Sequence, residues 1–210
     1  MAVDPGGTFD YLVIGGGASG AVVASRLSED PDVSVLLVEA GRDVVPGGEP
    51  ADLLNVFPLS TYNESYMWQG LKAHWRSPQT SPALAFPQGR ILGGSSSIMG
   101  MWAMRGMPGD YDCWQRDGAE GWGWRDVLPF FSKLETDHDF GGDLHGRAGP
   151  VPIRRQSMQD WSPFARAVRN AAIGLGLPEV EDMNATFSDG HCVLPISRYE
   201  KSRASGGRSY

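Results

Sequence analysis

Apolar and polar positions come in blocks along the N-terminal part of the chain. Tyr11 to Ile14 form a short apolar run, and Val33 to Val38 form a second one after the turn at Glu29 to Asp32. Uniformly apolar runs of this length are typical of parallel strands that are covered on both faces. Between the two runs, Ala18 to Leu27 are rich in alanine and other small residues, which predicts a helix lying close to the sheet. The pattern therefore predicts a strand–helix–strand unit with two fully buried strands.

The turn between the first strand and the helix carries the spacing GxGxxG. Its glycines are Gly15, Gly17 and Gly20, with Ala18 and Ser19 between them. The first glycine allows a sharp turn, the second lets the backbone approach a pyrophosphate, and the third lets the helix pack on the sheet. The N-terminus of the helix offers free N–H groups and the positive end of its dipole to the same pyrophosphate. With both strands and the helix in place, this spacing predicts a dinucleotide-binding site.

An acidic residue at the end of the second strand narrows the choice of dinucleotide. Glu39 follows Gly20 by 19 positions, where a carboxylate can accept hydrogen bonds from ribose hydroxyls. The same negative charge would repel the 2′-phosphate of NADP. These residues alone leave NAD and FAD both open.

The segment 42–88 is rich in turns. It contains six prolines and has no pattern typical of a helix longer than a few turns. Irregular segments of this length usually serve a function. Two interpretations remain open, namely a surface insertion and a lid over a bound cofactor.

Composition and charge exclude several classes of function. The net charge of −7 and the pI near 5.0 are not those of a nucleic-acid-binding protein, which needs a basic face.

Cys113 and Cys192 are far apart and form no CxxC motif, which predicts unpaired thiols in a reducing compartment. No apolar run has the length of a membrane span, and the first residues lack the pattern of a secretory signal. We therefore expect a cytoplasmic protein without a membrane span.

The stretch from Gln88 to Gly106 combines a bare backbone with bulky apolar side chains. Its letters, QGRILGGSSSIMGMWAMRG, place a Gly-Gly turn and three serines before three methionines and a tryptophan. Glycine, serine hydroxyls and N–H groups suit a backbone that passes beneath a charged or flat ligand. The methionines fit irregular gaps and serve equally well in an ordinary core.

This stretch resembles the first signature of the glucose–methanol–choline oxidoreductases, which are FAD enzymes. Three further segments resemble the family in order and spacing, and together they cover essentially the whole chain: IGGGASG with VLLVEAG, DYDCWQRDGAEGWGWRDVLPFFSKLE, and HGRAGPVPI. Within the family, the chain is most similar to the bacterial branch that contains 5-hydroxymethylfurfural oxidase and pyridoxine oxidase. The resemblance implies an α/β fold: a Rossmann-like FAD-binding domain followed by the beginning of an α+β substrate domain.

The resemblance also implies a set of cofactor-binding residues. The family usually has Asn, sometimes His, at the position of Met99, so the polarity beside the flavin would differ here. The preceding residue is Ile98, which excludes covalent attachment through a histidine there, so we expect non-covalent FAD. The implied set is Gly15, Gly17, Ala18, Ser19, Gly20, Glu39, Ala40, Arg90, Gly93, Gly94, Ser95, Met99, Gly100, Met101 and Trp102. Of these, Met101 and Trp102, with Met104 nearby, are expected to wall the flavin ring.

The chemistry implied by the resemblance is oxidation of a primary alcohol to an aldehyde, with hydride transfer to flavin N5. Oxygen or a quinone would then reoxidise the flavin. The family's catalytic pair, a His with a second His or Asn, lies far downstream in a longer chain, and none of the four histidines here matches it. We therefore expect this chain to be the cofactor-binding half, associated with the downstream polypeptide half of the same enzyme. Two alternatives remain: an FAD-containing lyase without net redox chemistry, and a non-catalytic FAD-binding fragment.

The domain organisation follows from the same segments. We predict a first part of the FAD-binding domain over 1–146, including the lid-like segment 42–88, and a first segment of the substrate domain over 147–197. Residues 198–210 would return towards the FAD domain. The acidic stretch Asp137 to His145 has no common metal-ligand spacing, which predicts a solvated loop and no metal site.

Overall fold

The structure is a computed structural model that describes residues 6–45, 47–57 and 59–210. The chain divides into two compact units: the first runs up to Met101 and takes in Lys201–Tyr210, and the second is Trp102–Glu200. Helices and strands of the first unit are β1 Tyr11–Ile14, α1 Ala18–Leu27, β2 Val35–Val38, α2 Ala51–Leu54, β3 Lys72–His74, β4 Ala83–Ala85 and, after the second unit, α7 Gly206–Ser209. Those of the second unit are α3 Pro108–Arg116, α4 Trp124–Leu134, β5 Glu135–Asp137, β6 Val151–Arg154, α5 Pro163–Gly174, α6 Met183–Thr186 and β7 Ile196–Ser197.

The strand–helix–strand unit forms as the sequence pattern predicts. β1 and β2 are parallel, with Tyr11 opposite Val35 and Ile14 opposite Val38. The second strand begins two residues later than predicted because the N–H of Val33 donates to the carbonyl of Asp30 and belongs to the preceding turn.

The prediction that both strands are fully buried is wrong for this chain. Leu12 is 58% exposed and Ile14 is 80% exposed, and Val38 is exposed as well. The two strands form a sheet of their own, with no third strand beside them among the described residues. Helix α1 packs against both strands, but no described residues cover the side chains of Leu12, Ile14 and Val38.

The core of the first unit forms around residues from the irregular segment. Leu53 and Tyr66 lie in the segment 42–88 and are buried with Ile91 and Ile98. The hydroxyl of Tyr66 donates to the carboxylate of Asp52 at 3.2 Å. Because it supplies half of this core, the segment is not merely a surface insertion.

The second unit holds an aromatic cluster and a small mixed sheet. The rings of Tyr111, Trp124 and Phe131 from α3 and α4 lie 5.8 to 6.2 Å apart, and the ring of Phe187 meets that of Trp124 at 5.3 Å. Aromatic pairs at these separations contribute beyond their buried area. The sheet has the order β5-β6-β7, with β5 and β6 parallel and β7 antiparallel to β6.

The compact units do not divide the chain at the predicted domain boundaries. The first unit ends at Met101, whereas the sequence placed the end of the first domain at 146. A division after 146 would separate β5 from β6, which are bonded neighbours in one sheet. The predicted assignment of functional domains stays a prediction. Among the described residues, no helix combines the length and the apolar character needed to cross a bilayer.

Candidate cofactor site

The glycine turn after β1 has the geometry that its spacing predicts. Gly15 has a φ of +98°, and its N–H donates to the carbonyl of Val38 at 2.7 Å, which ties the turn to β2. A Cβ on Gly20 would lie 1.9 Å from the carbonyl oxygen of Gly15. Only glycine therefore lets α1 pack this closely on the turn.

The space above the turn is open. A Cβ on Gly17 would meet nothing within 4 Å, and no side chain caps the N-terminus of α1. Ala18 and Ser19 begin the helix and are exposed. The N–H groups of the first turn of a helix have no partner within the helix, so this end can bind an anionic group.

A second glycine turn meets the first one. Gly93 and Gly94 have φ values of +85° and +56°, in the left-handed region that glycine adopts without steric cost. The N–H of Gly93 donates to the carbonyl of Gly16 at 2.6 Å. A Cβ on Gly94 would lie 2.9 Å from the Cα of Gly17. The two turns thus form one backbone cradle, which side chains would fill.

The carboxylate of Glu39 closes one side of this cradle. Its Oε2 accepts a hydrogen bond from the N–H of Gly16 and its Oε1 accepts one from the N–H of Gly41, each at 2.7 Å. Ala40 between them is exposed. Gly41 was missing from the predicted set, although a Cβ there would lie 2.2 Å from the carbonyl of Arg90. The signal that could have found it is the Glu-Ala-Gly sequence that directly follows β2.

Arg90 and Ser95 contact the chain around the second turn. The N–H of Arg90 donates to the carbonyl of Tyr66 at 2.6 Å, and its guanidinium lies 5.1 Å from the ring centre of Trp68. The hydroxyl of Ser95 accepts a hydrogen bond from the N–H of Gly89 at 3.0 Å. Their predicted contacts with a cofactor stay predictions.

The neighbouring serine hydroxyls bond the protein's own backbone. The hydroxyl of Ser96 donates to the carbonyl of Gly93 at 2.6 Å and accepts from the N–H of Gly206 at 2.9 Å. The hydroxyl of Ser97 donates to the carbonyl of Leu92 at 2.7 Å. These two serines therefore hold the cradle together, a role that their position in the sequence did not predict.

The apolar residues after the serines take different environments. Met99 is partly buried and packs against the core of the first unit, and Met101 is buried with a φ of +59°. Gly100 between them is half-buried. Trp102 opens the second unit, where its backbone pairs with Ile196 and its side chain is 68% exposed. Their predicted role as walls of a flavin ring stays a prediction.

Sequence reasoning also missed a side chain in the last segment. The guanidinium of Arg203 is buried, and its Nη2 donates to the carbonyl of Met99. Burial lowers the pKa of Arg203 to about 10. No local pattern in this segment indicates which of its arginines becomes buried.

The second unit holds a buried group of charged residues. Glu135, Asp137 and His145 offer oxygen and nitrogen atoms within 4.8 Å of one another, which is a spacing that metal ligands can have. The Nδ1 of His145 lies 3.1 Å from Glu135, and its Nε2 lies 2.7 Å from Asp182. Arg105 Nη2 bonds the same Glu135 oxygen at 2.7 Å. Because a guanidinium occupies that oxygen, the group is an ion-pair network.

The expectation of a solvated loop over Asp137 to His145 is therefore wrong at both ends. Burial of the Asp137 carboxyl opposes its charged form, but N–H groups of Phe140 and Asp139 and the guanidinium of Arg155 outweigh that cost and lower its pKa. The Nη1 of Arg155 bonds both carboxylate oxygens of Asp137 at 2.9 Å. Contacts this far apart in the sequence leave no local pattern.

Comparisons with known proteins agree with this geometry. A match to the family described as GMC oxidoreductase spans residues 9–210. The chain is 40% identical over 209 residues to 5-(hydroxymethyl)furfural oxidase of Methylovorus sp. (strain MP688), covering 96% of this chain and 39% of that protein. It is 35% identical over 210 residues to glucose dehydrogenase [FAD, quinone] of Drosophila melanogaster, covering 99% of this chain and 33% of that protein.

A solved structure has the same fold. The crystal structure of pyridoxine 4-oxidase from Mesorbium loti matches with a TM-score of 0.82 and 33% identity, over 96% of this chain and 39% of that one. The chain thus spans about two fifths of the relatives it matches. The predicted fold class and the resemblance drawn from the sequence motifs are confirmed. The chain belongs to the GMC oxidoreductase family.

Proposed function

We propose that this chain is the cofactor-binding half of an FAD-dependent oxidoreductase that converts a primary alcohol to an aldehyde. One observation carries the proposal: the open backbone cradle formed by the Gly15–Gly17 turn and the Gly93–Gly94 turn, with the Glu39 carboxylate at its side. The open space above Gly17 and the uncapped start of α1 fit a pyrophosphate. The carboxylate fits ribose hydroxyls and disfavours a 2′-phosphate.

The residues of the cradle would bind and orient FAD. The N–H groups at the start of α1 would hold the pyrophosphate, and Glu39 would accept hydrogen bonds from the adenosine ribose. The Ile98–Met101 segment would lie against the flavin ring. When bound, FAD supplies a hydride acceptor at N5, which protein side chains lack. Holding ring and alcohol in line is the contribution of the protein.

The proton acceptor for the alcohol would come from the downstream half of the enzyme. His145 is held in the ion-pair network, and the Nδ1 of His74 contacts the carbonyl of Ser81 at 2.8 Å. The sequence resemblance implies that the family's catalytic histidine lies downstream of these residues. We propose that it reaches the flavin from that polypeptide.

The exposed strands support association with further polypeptide. Leu12, Ile14 and Val38 expose apolar side chains on β1 and β2, and such runs are typical of covered parallel strands. An uncovered apolar sheet with open edges is prone to aggregation. We propose that downstream strands and helices of the same enzyme cover it, through an interface that resembles a domain core.

The relatives suggest the donors and acceptors to test. One is named for the oxidation of 5-(hydroxymethyl)furfural, one for pyridoxine and one for glucose with a quinone. All three donors carry hydroxyl groups. A primary alcohol is therefore the proposed donor class, with oxygen or a quinone as acceptor.

The test uses the full-length protein purified with its flavin. Addition of each alcohol without oxygen should bleach the flavin absorbance, and air or a quinone should restore it. Flavin that is bound but never bleached, together with slow non-redox cleavage of a cyanohydrin, would indicate the lyase alternative. A purified protein without flavin would refute the proposal.

We also propose that the FAD is held without a covalent bond. Ile98 offers no nucleophile at the position where a histidine would attach, and it is fully buried. Acid precipitation should therefore leave yellow flavin in the supernatant. Flavin retained in the washed pellet would contradict this proposal.

A further inference from the structure

The segment from Ile98 to Met101 is held in an unusual backbone conformation. Met101 has a φ of +59°, in the left-handed region where the Cβ of a non-glycine residue is crowded. Such residues persist only where the surrounding structure fixes them, and they concentrate at functional sites. The surroundings here should therefore contain the groups that hold this segment.

Side chains hold two adjacent carbonyls of the segment. The hydroxyls of Thr61 and Ser60 donate to the carbonyl of Ile98, at 2.6 and 3.4 Å. The Nη2 of Arg203 donates to the next carbonyl, that of Met99. Thr61 and Arg203 are 37 and 104 positions away from their acceptors, so two distant parts of the chain fix the segment.

Burial of the charged Arg203 side chain carries a large free-energy cost. Only 1% of the residue is exposed, and its Nε and Nη1 have no hydrogen-bond partner within the described residues. Burial alone lowers the pKa of its guanidinium, and no acid in the described part offsets that effect. A buried cation without a paired carboxylate destabilises a fold, so stability does not account for its presence.

The cavity beside Arg203 is too small for a ligand of its own. Its volume is about 20 Å³, and Glu49, Ser97 and Ser205 are among the residues that line it. A space of this size holds a water molecule and nothing larger. Glu49 is engaged by Arg208 at 3.0 Å. Arg203 therefore does not act as a binding site for a separate anion.

We infer that Arg203 is a positioning residue of the flavin site. Its guanidinium fixes the carbonyl of Met99 and so holds the Ile98–Met101 segment in the shape that receives the flavin ring. Its uncompensated charge, buried behind that segment, favours the negative charge that a flavin gains on reduction. This inference rests on the proposed function.

The test compares variants of the full-length protein at this position. Arg203→Met removes the bond and the charge while keeping an apolar side chain of similar length. Arg203→Gln keeps a donor for the carbonyl and removes the charge. Thr61→Val is the matched control, since it removes the shorter of the two hydrogen bonds to the neighbouring carbonyl and leaves the charge in place. Each variant is measured for its FAD dissociation constant, its flavin midpoint potential and the melting temperature of its apoprotein.

A positioning role separates affinity from stability. In Arg203→Met we expect the dissociation constant to rise on the order of tenfold or more and the potential to fall, while the apoprotein melts at the same or a higher temperature. In Arg203→Gln the potential falls with a smaller loss of affinity. In Thr61→Val the potential stays at the wild-type value. A merely structural arginine would lower the melting temperature without changing the potential.

The outcomes separate the inference from the proposed function. If the wild-type protein binds FAD and Arg203→Met keeps its affinity and potential, the inference is overturned and the proposed function stands. If Arg203→Met does not fold, Arg203→Gln decides, because an unchanged potential there overturns the inference equally. A wild-type protein that takes up no FAD overturns both.

Discussion

Replacing Glu39 tests the dinucleotide site most directly. The carboxylate accepts two N–H groups, those of Gly16 and Gly41, each at 2.7 Å. Hydrogen bonds to a charged acceptor contribute about 1.5–3 kcal/mol each. Glu39 is only half-buried, so we take the lower end and expect Glu39→Ala to lower the free energy of unfolding of the apoprotein by about 3 kcal/mol for the two bonds.

The loss in cofactor affinity adds to this loss in stability. Ribose hydroxyls that donate to the same carboxylate would contribute about 1.5–3 kcal/mol, and removing them raises the FAD dissociation constant roughly 10- to 150-fold. The assay is titration of the folded apoprotein with FAD, followed by quenching of flavin fluorescence, at a temperature well below the melting point of the variant. Urea unfolding of the apoprotein measures the loss in stability separately from the loss in cofactor affinity.

A matched control removes a charge that lies outside the cradle. Glu64 is exposed in a short 3₁₀ helix of the first unit, so Glu64→Ala changes the net charge equally. It should bind FAD as the wild type does. If Glu39→Ala also keeps wild-type affinity, Glu39 does not hold the ribose, and the choice of FAD over NADP loses its physical basis here.

Three further predictions address packing and charge. Gly20→Ala places a Cβ 1.9 Å from the carbonyl oxygen of Gly15, so the free energy of unfolding measured in urea should fall by about 3 kcal/mol or more. The control is Gly174→Ala, where a Cβ meets nothing within 4 Å and the free energy of unfolding should not fall. Met99→Asn introduces the residue usual in the family but withdraws an apolar side chain from the core. The melting temperature should therefore fall, with a loss of about 1–2 kcal/mol in the free energy of unfolding. A stabilised variant would contradict the packing of Met99. The pKa of Asp137 is lowered from its ordinary 3.8, so its stabilising effect is complete above that pH and is lost as the pH falls through the lower folded value. Asp137→Asn should therefore melt at a temperature that changes less with acidification, and a parallel decline in both proteins would refute this.

Local patterns in the sequence were enough for the strand–helix–strand unit. Three signals predict it: the apolar run of β1, the small residues of α1 and the spacing of Gly15 and Gly20. Each depends only on residues that are neighbours in the sequence, so each can be recognised without knowledge of the fold. The same holds for Glu39, because the end of a strand fixes its place.

Burial could not be predicted from the same runs. The pattern of Tyr11 to Ile14 describes a strand covered on both faces, yet Ile14 is 80% exposed in this chain. An apolar run records the surroundings of a strand in the finished fold, and those surroundings need not lie in the same segment. The prediction therefore failed on the burial of the strand while its position was right.

Long-range polar contacts were the second class that sequence reasoning missed. His145 and Asp182 are 37 positions apart and bonded at 2.7 Å, and Arg203 reaches Met99 across 104 positions. Neither pairing leaves a periodicity or a spacing. The acidic stretch Asp137 to His145 looked solvated because its partners, among them Arg155, lie outside it.

The buried charged groups of the second unit have oppositely charged partners, whereas Arg203 in the first unit has none among the described residues. In the second unit three carboxylates, those of Glu135, Asp137 and Asp182, face the guanidiniums of Arg105 and Arg155 and the ring of His145. Both ring nitrogens of His145 lie within hydrogen-bonding distance of a carboxylate oxygen, so the network balances each of the three carboxylates with a guanidinium or a ring nitrogen.

Such a balance is what a network built for stability requires, since a paired buried charge costs far less than a lone one. Arg203 in the first unit has no such balance, although it is buried as deeply. A fold selected only for stability would replace it with an apolar residue of similar volume. Within one chain, the paired buried charges of the second unit contrast with the guanidinium of Arg203 in the first, unpaired within the described part. This contrast indicates that the first unit keeps an unpaired buried charge near the cradle for function, although that charge lowers the stability of the fold.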